Sequence, residues 1–178
     1  MRKSLPLANV YQLIEPGPVV FLTTRAKDGT PNVMTMSWHM MMEFEPPLIG
    51  ALVSNGDHSF KALNKTHECV VAVPSAELAD EVVQVGNCSG RDVDKFKKFG
   101  LTQVAAKHVA APLISECFAN LECKVVDRSL VTRYNFFVLE VVAAWRDTKQ
   151  KNPKTLHHCG YGRFTVDGRT IVKPSRMR

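Results

Sequence analysis

The chain has 178 residues, 45% of them hydrophobic and 22% charged, with a formal net charge of +6. That length buries the core of one domain without disulfide staples, and the composition excludes a disordered or collagen-like chain. No apolar run reaches the roughly 20 residues of a membrane-spanning helix, and no apolar stretch follows the basic start Met1-Arg2-Lys3-Ser4-Leu5-Pro6, so a cytoplasmic protein without a signal peptide is predicted.

Pro18-Val-Val-Phe-Leu-Thr-Thr24 is compact, apolar and β-branched, which predicts a first strand. Lys27-Asp28-Gly29-Thr30 supplies the turn of a hairpin. The chain returns over residues 31–38, with Val33, Thr35 and Ser37 on one face and Asn32, Met34, Met36 and Trp38 on the other. Pro46-Pro47 ends this section, residues 48–53 form another buried-type strand, and the first third reads as an antiparallel meander. Phe60 and Leu63 are at helical spacing within 59–66, and a strand over 68–73 stops at Pro74. Ser75 is placed to cap a helix over 76–83 whose acidic first turn suits the helix dipole.

A loop over 86–90 leads to a second short helix, 92–99, closed by Gly100. From Leu113 the period returns to two, Leu121, Cys123 and Val125 alternating with Glu122, Lys124 and Val126. Residues 136–145 read as a long interior strand, and 164–172 as a final hairpin about Asp167-Gly168. Strands joined by short turns, with helices inserted, predict a small, mainly β barrel in a single domain over 1–178.

Neither a GxGxxG turn nor a Walker A sequence occurs, which excludes a Rossmann or P-loop nucleotide site. The densest polar segments are Asn32 to Trp38 and Ser54 to Ser59. Their amides and hydroxyls can serve a heteroaromatic ring edge, and the start of the helix at Ser59 suits a phosphate. Ordinary helix capping accounts for the same residues. Lys95 can reach a phosphate as a mobile charge or join Lys97 and Lys98 on a solvated face.

Met34, Met36, Met40, Met41 and Met42 with His39 resemble a copper(I) ligand set on paper. Alternation sends them to both faces of a strand, so they read instead as adaptable packing, possible at a subunit interface. His157-His158-Cys159 lacks a second ligand pair at zinc-like spacing, and no metal is expected. The five cysteines, Cys69, Cys88, Cys117, Cys123 and Cys159, are scattered and odd in number, as reduced thiols are. Ser89 has no GxSxG setting and no histidine is marked as a base, so no catalytic acid, base or nucleophile is identified. Apart from Lys173 to Arg178 the basic residues are dispersed, and no nucleic-acid motif accompanies them.

Several ordered blocks carry a family resemblance. They are Pro18 to Arg25, Asp28-Gly29, Asn32, Ser37-Trp38, Pro46-Pro47-Leu48, Val71 to Pro74, Ser89 to Phe96, Gly100 to Thr102, Ala111 to Ile114, Glu116-Cys117, Leu121 to Cys123 and Glu140-Val141. Together they resemble the flavin reductase-like, FMN-binding split-barrel family, most closely its flavoredoxin branch, over roughly residues 8–147, with 148–178 as a C-terminal extension. The resemblance implies an antiparallel, Greek-key-like split β-barrel that dimerises with itself and holds FMN non-covalently.

Carried over by position, Asn32, Thr35, Ser37 and Trp38 would line the flavin. Ser54, Asn55, His58 and Ser59 would surround the ring edge and phosphate, with Lys95 as a phosphate cation. Tyr134 stands where the family usually has a histidine, and Leu139 where it has a glycine. Phe164, with Tyr161 as the alternative, matches a C-terminal aromatic contact. The implied activity is electron transfer, as a flavoredoxin-like carrier with a redox-protein partner or as an NAD(P)H-dependent flavin reductase. A non-catalytic module that kept the barrel and the flavin is the alternative.

Overall fold

In the computed structural model the described residues are 17–170. The sequence readings on Met1 to Pro6, on the strand half at Ile171-Val172 and on the basic tail lie outside them. The largest element is a seven-stranded antiparallel sheet. In chain order its strands are β1 (Val20–Arg25), β2 (Pro31–Met36), β3 (His39–Phe44), β4 (Pro47–Leu52), β5 (Glu68–Val73), β8 (Ala119–Asp127) and β9 (Phe136–Arg146). Their order across the sheet is β2-β1-β5-β8-β9-β4-β3. Among the described residues two short pairs complete the β content, β6 (Gln103–Val104) with β7 (Leu113–Ile114), and β10 (Leu156–His158) with β11 (Phe164–Val166). The helices among them are α1 (His58–Thr66), α2 (Ala79–Gly86), α3 (Lys95–Lys98) and α4 (Val131–Tyr134).

The sheet is rolled. His39 Nε2 on edge strand β3 lies 2.7 Å from the Pro18 carbonyl just before β1, although four strands separate β3 from β1 in the sheet order. Inside the roll, Val20 and Leu22 of β1 meet Ile49 and Ala51 of β4, Val71 of β5 and Phe137 and Leu139 of β9. Outside it, Phe21 of β1 and Val70 and Ala72 of β5 pack under Val82 and Val85 of α2, Phe96 of α3 and Ile114 of β7. β1 and β5 are thus buried on both faces, which is why they read as unbroken apolar runs.

Some expectations shift in detail. The first third is two hairpins at opposite edges of the sheet, because β1 pairs with β2 and β3 with β4 while β2 and β3 are the two ends. Ser75 makes no side-chain cap; a 3-10 turn over Ala76–Leu78 precedes α2. The second helix shrinks to α3, where Asp94 caps by accepting from the Lys97 amide at 3.1 Å. β11 pairs back with β10, and the Val19 amide, donating to the Leu156 carbonyl at 2.7 Å, fixes β10 beside the barrel.

Candidate functional site

Two adjoining cavities open along β2 where α2 crosses it. The first, about 320 Å³, lies between the start of β2, the loop entering α1, the end of α2 and α3. Thr35 Oγ1 donates to the Val82 carbonyl at 2.6 Å and ties β2 to α2. Asn32 Nδ2 donates to Ser59 Oγ at 2.8 Å and ties β2 to α1. Gly90 lies so close to this pair that a Cβ there would sit 2.1 Å from Asn32 Oδ1 and 2.9 Å from His58 Cδ2. Arg91 reaches across the mouth, its Nη2 donating to the Gly56 carbonyl at 2.9 Å.

The first cavity is electropositive. Lys95 is 6% exposed and lines it, Nζ donating at 2.8 Å to the Val85 carbonyl in the last turn of α2. Burial holds the Lys95 amine below its ordinary range, against the opposing pull of Cys88 and Asp57. Burial also lowers the His58 imidazole, and the charges of Arg91, Lys95 and Lys61 lower it further. Among the lining residues only Asp57 is acidic, and one of its carboxylate oxygens already accepts from the Ser54 amide at 3.1 Å. Ser89, Ser59 and Asn32 add hydroxyl and amide groups. This is a donor set for a compact anion.

The second cavity, about 300 Å³, shares Thr35, Gly86 and Asn87 with the first. Its other walls are mostly apolar: Val19, Val82, Val83 and Phe164, with Ser37 and His158 at the polar side. An anion site joined to an apolar, aromatic slot fits an amphipathic ligand with a phosphate at one end and a flat ring system at the other.

The structure brings together Asn32, Thr35, His58, Ser59 and Lys95 in the first cavity, and Thr35, Ser37 and Phe164 in the second. Ser54 stands behind the first, its Oγ accepting from the Gly56 amide at 3.2 Å, and Asn55 is exposed beside it. Trp38 is half exposed and lines neither cavity; its carbonyl accepts from Leu52. Tyr134 is half exposed on α4, stacked 5.0 Å from the Arg133 guanidinium. Tyr161 projects into solvent at the tip of the β10–β11 turn. Sequence reasoning missed Arg91, Gly90, Gly86, Asn87 and His158. The Gly86 to Gly90 loop composition was visible, but its contact with β2 was not.

Comparison with known proteins decides the family. The flavin reductase like domain matches residues 14–165. The chain belongs to that family. A protein of Archaeoglobus fulgidus is 35% identical over 151 residues, 81% of this chain and 85% of that one. The Escherichia coli protein YddH is 28% identical over 181 residues, covering 94% and 96%. Among solved structures, an FMN-binding domain of a flavin reductases-like enzyme from Shewanella baltica superposes with a TM-score of 0.83 at 25% identity, covering 97% of each chain. Flavoredoxin from Methanosarcina acetivorans gives 0.78 at 26% identity, covering 99% of this chain and 97% of that one. Flavoredoxin of Desulfovibrio vulgaris gives 0.86 at 23% identity, covering 97% of each, a likeness of fold. The mainly β, split-barrel class predicted from the sequence is thereby established.

Proposed function

We propose that the two cavities hold one FMN molecule and that this flavin reductase-like protein is an FMN-dependent oxidoreductase. Lys95 carries this reading: a buried cation that lines the cavity together with Arg91, against the single carboxylate of Asp57, is favoured when an anion completes the site. The phosphate is placed against Lys95, Arg91, Ser89 and His58, and the ring system along Thr35 toward Phe164. Bound flavin supplies reversible acceptance of two electrons. The chain's own residues then bind and orient. Asn32 and Ser59 lock each other, Thr35 fixes α2 over β2, and the Arg91–Gly56 contact spans the mouth of the phosphate end.

The resemblance to flavoredoxins supports electron transfer, with NAD(P)H or a reduced redox protein as donor. Trp38, Ser54, Asn55 and Tyr134 lie outside the cavities of one chain, and a second copy packed on the β3 edge would bring additional walls to the ring end. The test is an absorbance spectrum after FMN addition and desalting, followed by anaerobic NADH or NADPH. Retained flavin that bleaches with a nucleotide supports the reductase, and bleaching only by a reduced protein or dithionite supports the carrier. Lys95→Met is expected to weaken FMN binding at least tenfold, the loss of a charge-assisted phosphate contact of about 1.5–3 kcal/mol. Unchanged retention in that variant would refute the phosphate placement.

A further inference from the structure

The basic residues are spread along the chain, but the acidic ones are not. Residues 1–145 carry fourteen lysines and arginines against fifteen aspartates and glutamates, whereas residues 146–169 carry six against two. The formal surplus of +6 therefore arises wholly from the end of β9 onward. Four of these cations, Arg146, Lys149, Lys151 and Lys154, stand exposed on the connection from β9 to β10. Arg146, Lys151 and Lys154 line an open cavity of about 500 Å³, larger than either flavin cavity. Lys151 and Lys154 also line a neighbouring one of about 420 Å³. The acidic residues lining the two are Asp167 and Glu77, and Asp147 lies on the same connection. Asp147 Oδ1 accepts from the Lys149 amide at 2.9 Å and Asp167 Oδ1 from the Thr155 amide at 2.5 Å, so both carboxylates turn onto the backbone. The cations stay in excess, with Arg169 exposed just beyond Asp167.

This surface adjoins the ring end of the flavin site through one hairpin. β10 runs from Lys154 toward His158, and β11 runs back from Phe164 toward Asp167. His158, Gly162 and Phe164, at the far end of that hairpin, line the second cavity. Lys154 and His158 are four residues apart, about 13 Å at the rise of a strand. Arg163 sets a further exposed cation beside Phe164, its Nη2 donating to the Cys159 carbonyl at 3.5 Å. A transient electron-transfer contact buries up to about 600 Å² on each side, enough to cover a hairpin of this length together with the mouth of the slot.

We propose that this cationic surface docks an acidic one-electron carrier protein and seats it at the ring end of the flavin site. This rests on the FMN reading above. Two reduced carriers bind in turn, and each gives up one electron and leaves oxidised. The flavin takes both electrons and one proton from solvent. A patch of one sign speeds the encounter and orients the partner, and salt screens the effect. Its position favours a redox protein over nucleic acid or a lipid surface, because neither of those exchanges electrons with the flavin that the patch adjoins.

The experiment is anaerobic stopped-flow reduction of the full-length, FMN-loaded protein by an acidic plant-type [2Fe–2S] ferredoxin, itself reduced beforehand without excess reductant. The second-order rate constant is expected to fall at least about tenfold between low and physiological salt. Lys149→Glu with Lys151→Glu should lower the low-salt rate at least about fivefold and flatten its salt dependence. Lys27→Glu with Lys65→Glu makes the same change of net charge away from the hairpin and should leave the rate within about twofold of wild type. FMN retention after desalting reports that both variants are folded; where the first pair fails it, Lys151→Gln alone takes its place with a smaller expected loss. Equal slowing by the two pairs overturns the docking surface and leaves the FMN site standing. So does retained flavin that the ferredoxin does not reduce, including the case where the patch instead gives salt-sensitive retention on DNA. A wild-type protein that retains no FMN overturns both readings.

Discussion

At the residue scale, the site depends on groups held where their ordinary chemistry is altered. His58 is the clearest case, its imidazole held below its ordinary range by burial and by the charges of Arg91, Lys95 and Lys61. A histidine lowered in the folded state costs stability as pH falls from about 6.5 through its folded value, because the unfolded chain binds the proton first. A bound phosphate reverses the sign by favouring the protonated ring. FMN affinity measured from about pH 5.5 to 8 in wild type and His58→Gln is therefore expected to diverge as pH falls, wild type gaining relative to the variant. The phosphate's own titration cancels in that ratio, and a pH-independent ratio would remove His58 from the anion site.

Gly90 is the second case. A methyl group there meets Asn32 and His58 inside contact distance, with Asn32 held by Ser59. Gly90→Ala is expected to destabilise by about 1–3 kcal/mol and to weaken FMN binding together with it, read by thermal melts and flavin titration.

At the element scale, the chain between β6 and β7 has almost no regular structure and is held from below. Glu122 of β8 is fully buried. One carboxylate oxygen accepts from the Lys107 amide at 3.0 Å and the Trp145 indole at 2.7 Å, and the other from His108 at 2.5 Å and Val109 at 3.2 Å. Burial pushes its acidity down, but the Lys107 and His108 amides and the Trp145 indole outweigh burial, and the carboxyl lies below its usual range. Glu68, Arg25 and Thr23 add bonds to Ala110 and Pro112 of the same segment.

A carboxylate lowered on folding contributes stability above about pH 4.3 that is lost as pH falls through its folded value. Glu122→Gln replaces one acceptor by a donor facing amides and is expected to cost about 2–3 kcal/mol at pH 7. In denaturant titrations the difference should shrink in acid; an equal loss at pH 3 and pH 7 would contradict the ionised tether. Strand alternation put Glu122 on the outer face of β8, and that much is right. What alternation could not tell is that the loop after β6 folds over that face and needs a charge to bind its amides.

At the scale of the whole molecule, β3 is an edge of the sheet among the described residues and exposes Met40, Met41 and, at 69% exposure, Phe44, next to the half-exposed Trp38. Long apolar edges in soluble proteins are covered or they aggregate. The reading that a second copy covers this one predicts a dimer by light scattering, and Met41→Lys with Phe44→Lys should shift it toward monomer. A wild-type monomer that stays soluble at high concentration would count against that reading.

Much of this protein was set by local sequence. The apolar runs at 18–24 and 68–73, the Asp28-Gly29 turn and the period-two pattern at 121–126 specify antiparallel strands, because side-chain alternation and turn geometry act over a few residues. The blocks from Pro18 to Val141 identify the family, and within the site Asn32, Thr35, His58, Ser59 and Lys95 were legible as polar groups on defined elements. Tertiary structure alone decided which of them converge. Closure of the sheet brings β3 back to Pro18, α2 lays the Gly86 to Gly90 loop across β2, and the β10–β11 pair carries His158 and Phe164 to a slot opened more than a hundred residues earlier. Those contacts depend on long-range packing of two cores around one sheet, which no local period or propensity encodes.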